Sequence, residues 1–126
     1  MEKLTKAEEE IMQIIWKLDK CLVRDIIEHL GDPDIPHSTV SSVVRILEKK
    51  GFLDHKAYGR TYEYFPIIAK DDYSKEEISG FLSKYFKGSA KRLVSFLVKE
   101  KDLSVKELAE LMKTLNNNET PENEEE

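Results

Sequence analysis

Ser38, Ser42, Arg45 and Lys49 recur at spacings of four, three and four residues, which on a helix of about 100° per residue places them on one face. Val40, Val43, Val44 and Leu47 fall on the opposite face and predict its buried side, with Ser41 at the flank and Thr39 next to Ser38. The polar face has usable chemistry. Short hydroxyl side chains at its start let a helix enter a major groove and pair with any base edge or with phosphate, while arginine can grip guanine through two parallel hydrogen bonds. Arg45 is therefore the candidate base reader, and Lys49 and Lys50, at the helix exit, are candidates for the DNA backbone. A serine-and-lysine face alone is more often a solvated surface. Its significance rises because Lys56, Tyr58, Arg60 and Tyr62 follow, grouped about a glycine-containing turn where they can lie along phosphates or enter a minor groove. Tyr64 reads as hairpin core.

Other chemistry has little footing. His29, His37 and His55 are scattered, no serine stands in a nucleophile setting, and no glycine-rich phosphate loop occurs, so no catalytic residues and no cofactor are expected. His29 is expected on the solvent side of its helix, and His37 reads as a backbone contact or bystander. Cys21 is the sole cysteine, which excludes an intrachain disulfide and gives no zinc site. Its expected role is a partly buried small apolar residue, with only Lys20 and Arg24 nearby to activate a thiolate.

The elements that must position these residues follow from caps and periodicity. Thr5 and Glu8 form a capping-box pair ahead of Ala7, Ile11, Ile14, Ile15 and Leu18, which predicts a first helix bordered by Trp16. Val23, Ile26, Ile27 and Leu30 predict a second, ended by Gly31. After a turn-rich link at Asp32 to Pro36, Ser38 is the expected cap of a third helix running to Lys50 and Gly51. Phe52–Lys56 and Thr61–Phe65 predict two strands about Ala57–Arg60, with Pro66 as terminator. Three helices followed by a β-hairpin is the order of a winged helix-turn-helix. Ser74 with Glu77 predicts a further helix bearing Ile78, Phe81, Leu82, Tyr85 and Phe86, broken at Gly88. Ser89 then caps a helix carrying Leu93, Val94, Phe96, Leu97 and Val98, and Ser104 with Glu107 opens one carrying Val105, Leu108, Leu111, Met112 and Leu115. The fold class is mainly α with a small hairpin: a winged helix over residues 1–70, a helical segment over 71–115, and a disordered acidic tail over 116–126.

The 126 residues are 40% hydrophobic and 36% charged, which suits one helical domain with a short appended piece. No apolar run reaches membrane-spanning length, and Met1 to Thr5 lacks the apolar core of a secretory signal, so a cytoplasmic protein without membrane insertion is expected. The net charge of -5 is misleading for a DNA binder. Without Glu119, Glu122, Glu124, Glu125 and Glu126, acidic and basic residues are equal in number. Within His37 to Phe65, Arg45, Lys49, Lys50, Lys56 and Arg60 outnumber Glu48, Asp54 and Glu63.

Three ordered motifs carry a family resemblance: L-T-K-A-E-E-E-I-M-Q-I-I-W at Leu4 to Trp16, S-T-V-S-S-V-V-R-I-L-E-K-K-G-F at Ser38 to Phe52, and G-R-T-Y-E-Y-F-P at Gly59 to Pro66. With them the chain, from Leu4 to Leu115, resembles the BlaI/MecI penicillinase-repressor family. The resemblance implies a homodimer on a palindromic operator, the winged helix on DNA and the C-terminal helices clasping the partner, repressing β-lactam-resistance or related genes. It also implies relief by proteolysis, triggered by a membrane sensor with a metalloprotease domain. The bond matching the family's cut lies between Phe96 and Leu97, without the family's asparagine. Copper sensing, found in a branch with a cysteine-rich C-terminal site, has no counterpart after Cys21. Where the family commonly has Thr-Arg-Leu or Asn-Arg-Leu, this chain has Arg45-Ile46-Leu47, so its cation sits one position earlier and its operator is expected to differ.

Dimerisation also follows from size. Ser74 to Leu115 is near the roughly 40 residues below which a lone domain cannot bury enough apolar surface. Ile78, Phe81, Leu82, Tyr85, Phe86, Phe96, Leu108, Leu111, Met112 and Leu115 therefore need cover from a second chain or from the winged helix, and the second chain is favoured. A two-fold dimer would set two reading helices about 34 Å apart, one DNA turn. Two rivals remain. One is a winged helix used as a protein-interaction module, against which Arg45, Lys49 and Arg60 argue; the other is a ligand-responsive repressor with Phe81, Tyr85 and Phe86 lining its pocket.

Overall fold

Thr5 opens α1 (Lys6–Leu18) through a reciprocal cap, its hydroxyl accepting from the Glu8 amide at 3.2 Å while the Glu8 carboxylate accepts from the Thr5 amide at 2.9 Å. This computed structural model describes residues 1–100, 103–110 and 113, which divide into two units, one ending at Lys75 and one beginning at Glu76. In the first unit α1 is followed by α2 (Val23–Leu30), α3 (His37–Lys49), β1 (Leu53–Tyr58) and β2 (Thr61–Pro66). Helices, then hairpin, come in the winged-helix order.

The apolar stripes meet where periodicity places them. Met12, Ile15, Ile26, Val44, Leu47 and Phe52 lose all solvent exposure, and Ile11, Val40 and Leu53 nearly all. Each such side chain contributes about 1.5–3 kcal/mol through burial, so these few residues hold α3 against α1 and α2 with its polar face outward. Gly31 ends α2 in the left-handed conformation at φ 72°, which costs a residue without Cβ little.

The start of α3 differs from expectation. Pro36, not Ser38, is its N-cap, with φ -64° and ψ 139°, and no side chain caps the helix. The Pro36 carbonyl already accepts from the Thr39 and Val40 amides at 3.1 and 3.4 Å, so Ser38 stands in the first turn with its hydroxyl free of capping duty. Proline's locked φ thus begins the helix two residues earlier.

β1 and β2 pair antiparallel from Leu53↔Pro66 to Tyr58↔Thr61, leaving only Gly59 and Arg60 as the loop, with Gly59 at φ 65°. The hairpin is longer and its turn tighter than the sequence suggests, because Ala57 and Tyr58 are paired. A third segment joins it. Cys21 and Tyr64 exchange amide-to-carbonyl hydrogen bonds of 3.0 and 2.8 Å, tying the connection between α1 and α2 to the edge of β2.

α4 (Lys70–Phe86) begins four residues ahead of the expected Ser74 cap. The Tyr73 amide donates to the Ala69 carbonyl at 3.1 Å, so the helix is under way before Ser74. Burial of Tyr73 accounts for the early start. Its ring packs at centroid distances of 5.5 Å from Trp16 and 5.7 Å from Phe52, and its hydroxyl donates to Glu9 at 2.8 Å. Trp16 in turn donates its indole N–H to the Ile68 carbonyl at 2.9 Å.

In the second unit α4 ends at Lys87 and Gly88, both at positive φ, with the Gly88 amide on the Leu82 carbonyl. Ser89 caps α5 (Ala90–Glu100) by accepting from the Arg92 amide at 3.1 Å, and Ser104 and Glu107 form a reciprocal cap ahead of a helical stretch at 105–110. Both caps are those the sequence predicts. Phe81, Phe86 and Phe96 make a chain of ring contacts at 5.7 Å, yet α5 contains no buried residue. Leu111, Met112, Leu115 and the acidic tail lie outside the described residues.

Candidate nucleic-acid interface

Packing of Val40, Val44 and Leu47 into the core turns the opposite face of α3 to solvent. Ser38, Thr39, Ser42, Arg45 and Lys49 are all exposed there and Ser41 is half-buried at the edge, its hydroxyl 3.3 Å from Nδ1 of His37. The face therefore exists as a set. Thr39 lies toward one flank, where it lines a groove with Ile35, Val40 and Val43, while Ser41 and Arg45 line a notch on the other.

Lys50 is placed elsewhere. Its ammonium donates to the Glu8 carboxylate at 2.6 Å and to the Lys3 carbonyl at 2.9 Å, locking the end of α3 to the start of α1. Glu8 is only 6% exposed, and the Lys50 ammonium, aided by the Thr5 amide, holds its carboxyl below the usual range against the opposing effect of burial. The expected phosphate contact at Lys50 gives way to a structural role, because a buried carboxylate has claimed its charge.

The hairpin presents Lys56, Tyr58, Arg60 and Tyr62, all exposed, with the Lys56 ammonium 5.4 Å above the Tyr58 ring. Tyr64 is 5% exposed, as its reading as hairpin core requires. Burial, then the Glu48 charge, pushes its phenol upward. Between hairpin and helix stands His55, whose Nδ1 is 2.9 Å from the Glu48 carboxylate and whose ring stacks on Tyr62 at 4.2 Å and 18°. One wing aromatic is thus braced against the end of α3. Glu48, Asp54 and His55 also bring ligand-type atoms within 4.8 Å of one another, but the imidazole and the Glu48 carboxylate are already engaged in that brace.

Two residues escaped the sequence reading. Ile46 is 44% exposed beside Ser42 and Lys49, an apolar side chain on the polar side of α3; the helical wheel sets it about 70° from the centre of that face, where it could have been found. Arg24 lines the same notch as Arg45 and Arg60, and only the fold brings it there. Cys21 is 3% exposed, more buried than expected, and desolvation with the nearby Asp25 and Glu63 charges pushes its thiol up to about 11. Buried and with so little thiolate at neutral pH, Cys21 is a packing residue, and Lys20 and Arg24 do not activate it. His29 is exposed, as expected.

Across residues 4–117 the sequence matches the model of a family described as penicillinase repressor. The chain belongs to this family. The penicillinase repressor family includes relatives of nearly the same length. The chain is similar to the methicillin resistance regulatory protein MecI of Staphylococcus aureus strain N315, 31% identical over 115 residues that cover 90% of this chain and 94% of that protein. It is also similar to the penicillinase repressor of Bacillus licheniformis, 29% identical, with 90% and 89% covered. Among solved structures it is similar to the DNA binding domain of the repressor BlaI, 32% identical with a TM-score of 0.49, covering 58% of this chain and 94% of that one.

Proposed function

We propose that this penicillinase repressor family member is a sequence-specific transcriptional repressor that binds a palindromic operator as a homodimer and controls β-lactam-resistance or related genes. The observation that carries the reading is the exposed face of Ser38, Ser42, Arg45 and Lys49 on a helix whose other side buries Val40, Val44 and Leu47, flanked by a wing offering Lys56, Arg60 and Tyr62. Relatives along most of the chain are named penicillinase repressor and methicillin resistance regulatory protein, and those names support a regulatory rather than an enzymatic role. Arg45 reads a base; Ser38, Thr39, Ser41 and Ser42 bond base edges or phosphates; Lys49 and the wing side chains hold the backbone.

The second unit supports the homodimer. Ile78, Phe81, Tyr85, Phe96 and Val105 are 57%, 47%, 61%, 42% and 72% exposed in the single chain, an apolar display that a second copy would cover. Relief by a membrane sensor-protease is part of the same reading, with Phe96–Leu97 as the bond cut. That bond lies inside α5, so the helix must open locally to be cleaved. Among the described residues no helix is long and apolar enough to cross a membrane.

Gel-shift titration of the full chain on the DNA upstream of its own gene, across a salt series with random competitor, tests the reading. A competitor-resistant shift at two chains per duplex is expected. Absence of any shift at low salt would overturn it and favour a protein-interaction role for the winged helix.

A further inference from the structure

Arg24 in the first turn of α2, Arg45 in α3 and Arg60 at the wing tip line one concave notch of about 370 Å³, together with Ser41, Thr61 and Tyr62. All three arginines are exposed, and no hydrogen bond or ion pair is found between their side chains and another described residue. No acidic residue lines the notch. Glu48 is engaged by His55, Asp25 caps the start of α2 by accepting from the Leu22 amide at 2.8 Å, and Glu63 is half-buried in β2 near Cys21. Three like charges gathered about a concave notch that no acidic side chain lines make a site for an anion. Guanidinium forks match phosphate oxygens in pairs, and the hydroxyl groups of Ser41, Thr61 and Tyr62 add neutral donors.

The position of the notch selects the anion. One wall is the reading helix and another is the wing; in a winged-helix complex these enter neighbouring grooves, and a sugar-phosphate strand runs between neighbouring grooves. We propose that the notch clamps one backbone phosphate of duplex DNA, with Arg24 as a DNA-contacting residue. The proposal rests on the DNA-binding reading above. It makes Arg24, with Arg60, a contact that carries no sequence information, while Arg45 on the opposite wall adds its charge to the notch and keeps its guanidinium fork for a base.

The test uses the full chain and an operator duplex recovered by selection from random sequence. Affinities of wild type and Arg24→Ala are measured against salt on operator and random duplexes, and on operators carrying a neutral methylphosphonate at each position in turn. Arg24→Ala is expected to weaken both duplexes by the same factor and to reduce the log–log salt slope by about 1 for each Arg24 at the DNA. One methylphosphonate per half-site should weaken wild type and leave the variant unaffected. Because Arg24 is exposed, an unchanged circular dichroism spectrum is expected to show that the fold survives. An unchanged slope and affinity, or a loss confined to the operator, overturns the clamp while leaving DNA binding intact. Inorganic phosphate binding to the free chain, lost in Arg24→Ala without any change on DNA, assigns the notch to a small anion and also overturns it. A wild-type chain that binds no duplex at all overturns the DNA reading itself.

Discussion

Arg45 and Lys49 stand one helical turn apart on the exposed face of α3, and their different chemistry separates what each does to binding. Arg45→Ala is expected to lose about 1–3 kcal/mol on the operator and little on random DNA, whereas Lys49→Ala weakens both alike; paired titrations on the two duplexes check this. Ile46 offers an apolar surface on the same face, and the partner it suits is the thymine 5-methyl group. Replacing operator thymines with deoxyuridine should weaken wild type at one position per half-site and leave Ile46→Ala indifferent there. Lys50 answers to a different experiment. Its bond to the buried Glu8 carboxylate contributes about 1.5–3 kcal/mol of stability, and Lys50→Ala is expected to lower the unfolding midpoint while changing DNA affinity little. The pH dependence has a definite sign. Glu8's carboxyl is held below its ordinary value of 4.5, so its contribution is present above that pH and fades as pH falls through the lower folded value. Acid titration of wild type against Lys50→Ala should show that component missing from the variant.

At the scale of elements, two joints determine how the reading face is presented. The wing is bound to the α1–α2 connection through Cys21 and Tyr64 and braced on α3 through His55, Glu48 and Tyr62. With its thiol pushed up to about 11 and almost no exposure, Cys21 should resist alkylation by iodoacetamide at pH 8 in the native chain and react readily once unfolded. The other joint is Tyr73, which fastens the start of α4 to the first unit through Trp16, Phe52 and Glu9. Tyr73→Ala should cost about 3–5 kcal/mol in denaturant unfolding, the range for truncating a buried aromatic. Local signals marked most of these elements: the Thr5, Ser89 and Ser104 caps are one-turn interactions and could be read from spacing alone. Ser38 and Ser74 mislead because a capping pattern says where a helix can start. Pro36 and the burial of Tyr73 determine where it does.

For the whole molecule, the contrast is between a first unit with a well-filled core and a second whose aromatic side chains remain half open in one chain. A homodimer joined through that second unit is expected to sediment at twice the chain mass. Placing a charge at exposed Phe96, as in Phe96→Asp, should shift it toward monomer and weaken operator binding through lost two-site engagement. A variant that stays dimeric, with unchanged affinity, would move the interface away from α5.

Sequence by itself determined the parts governed by short-range rules: the helices from their apolar period, their glycine stops, the hairpin from its turn, and the serine-arginine-lysine face of α3 from residues within three or four positions of each other. Tertiary structure alone decided which cations are free to meet DNA. Lys49 and Lys50 are neighbours of the same type in the chain, yet one faces solvent and the other is held by Glu8, while Arg24 comes from another helix to line one notch with Arg45 and Arg60. The reason is physical: a side chain's helical period follows from its neighbours, but the charges it meets come from residues that only packing of the core brings near.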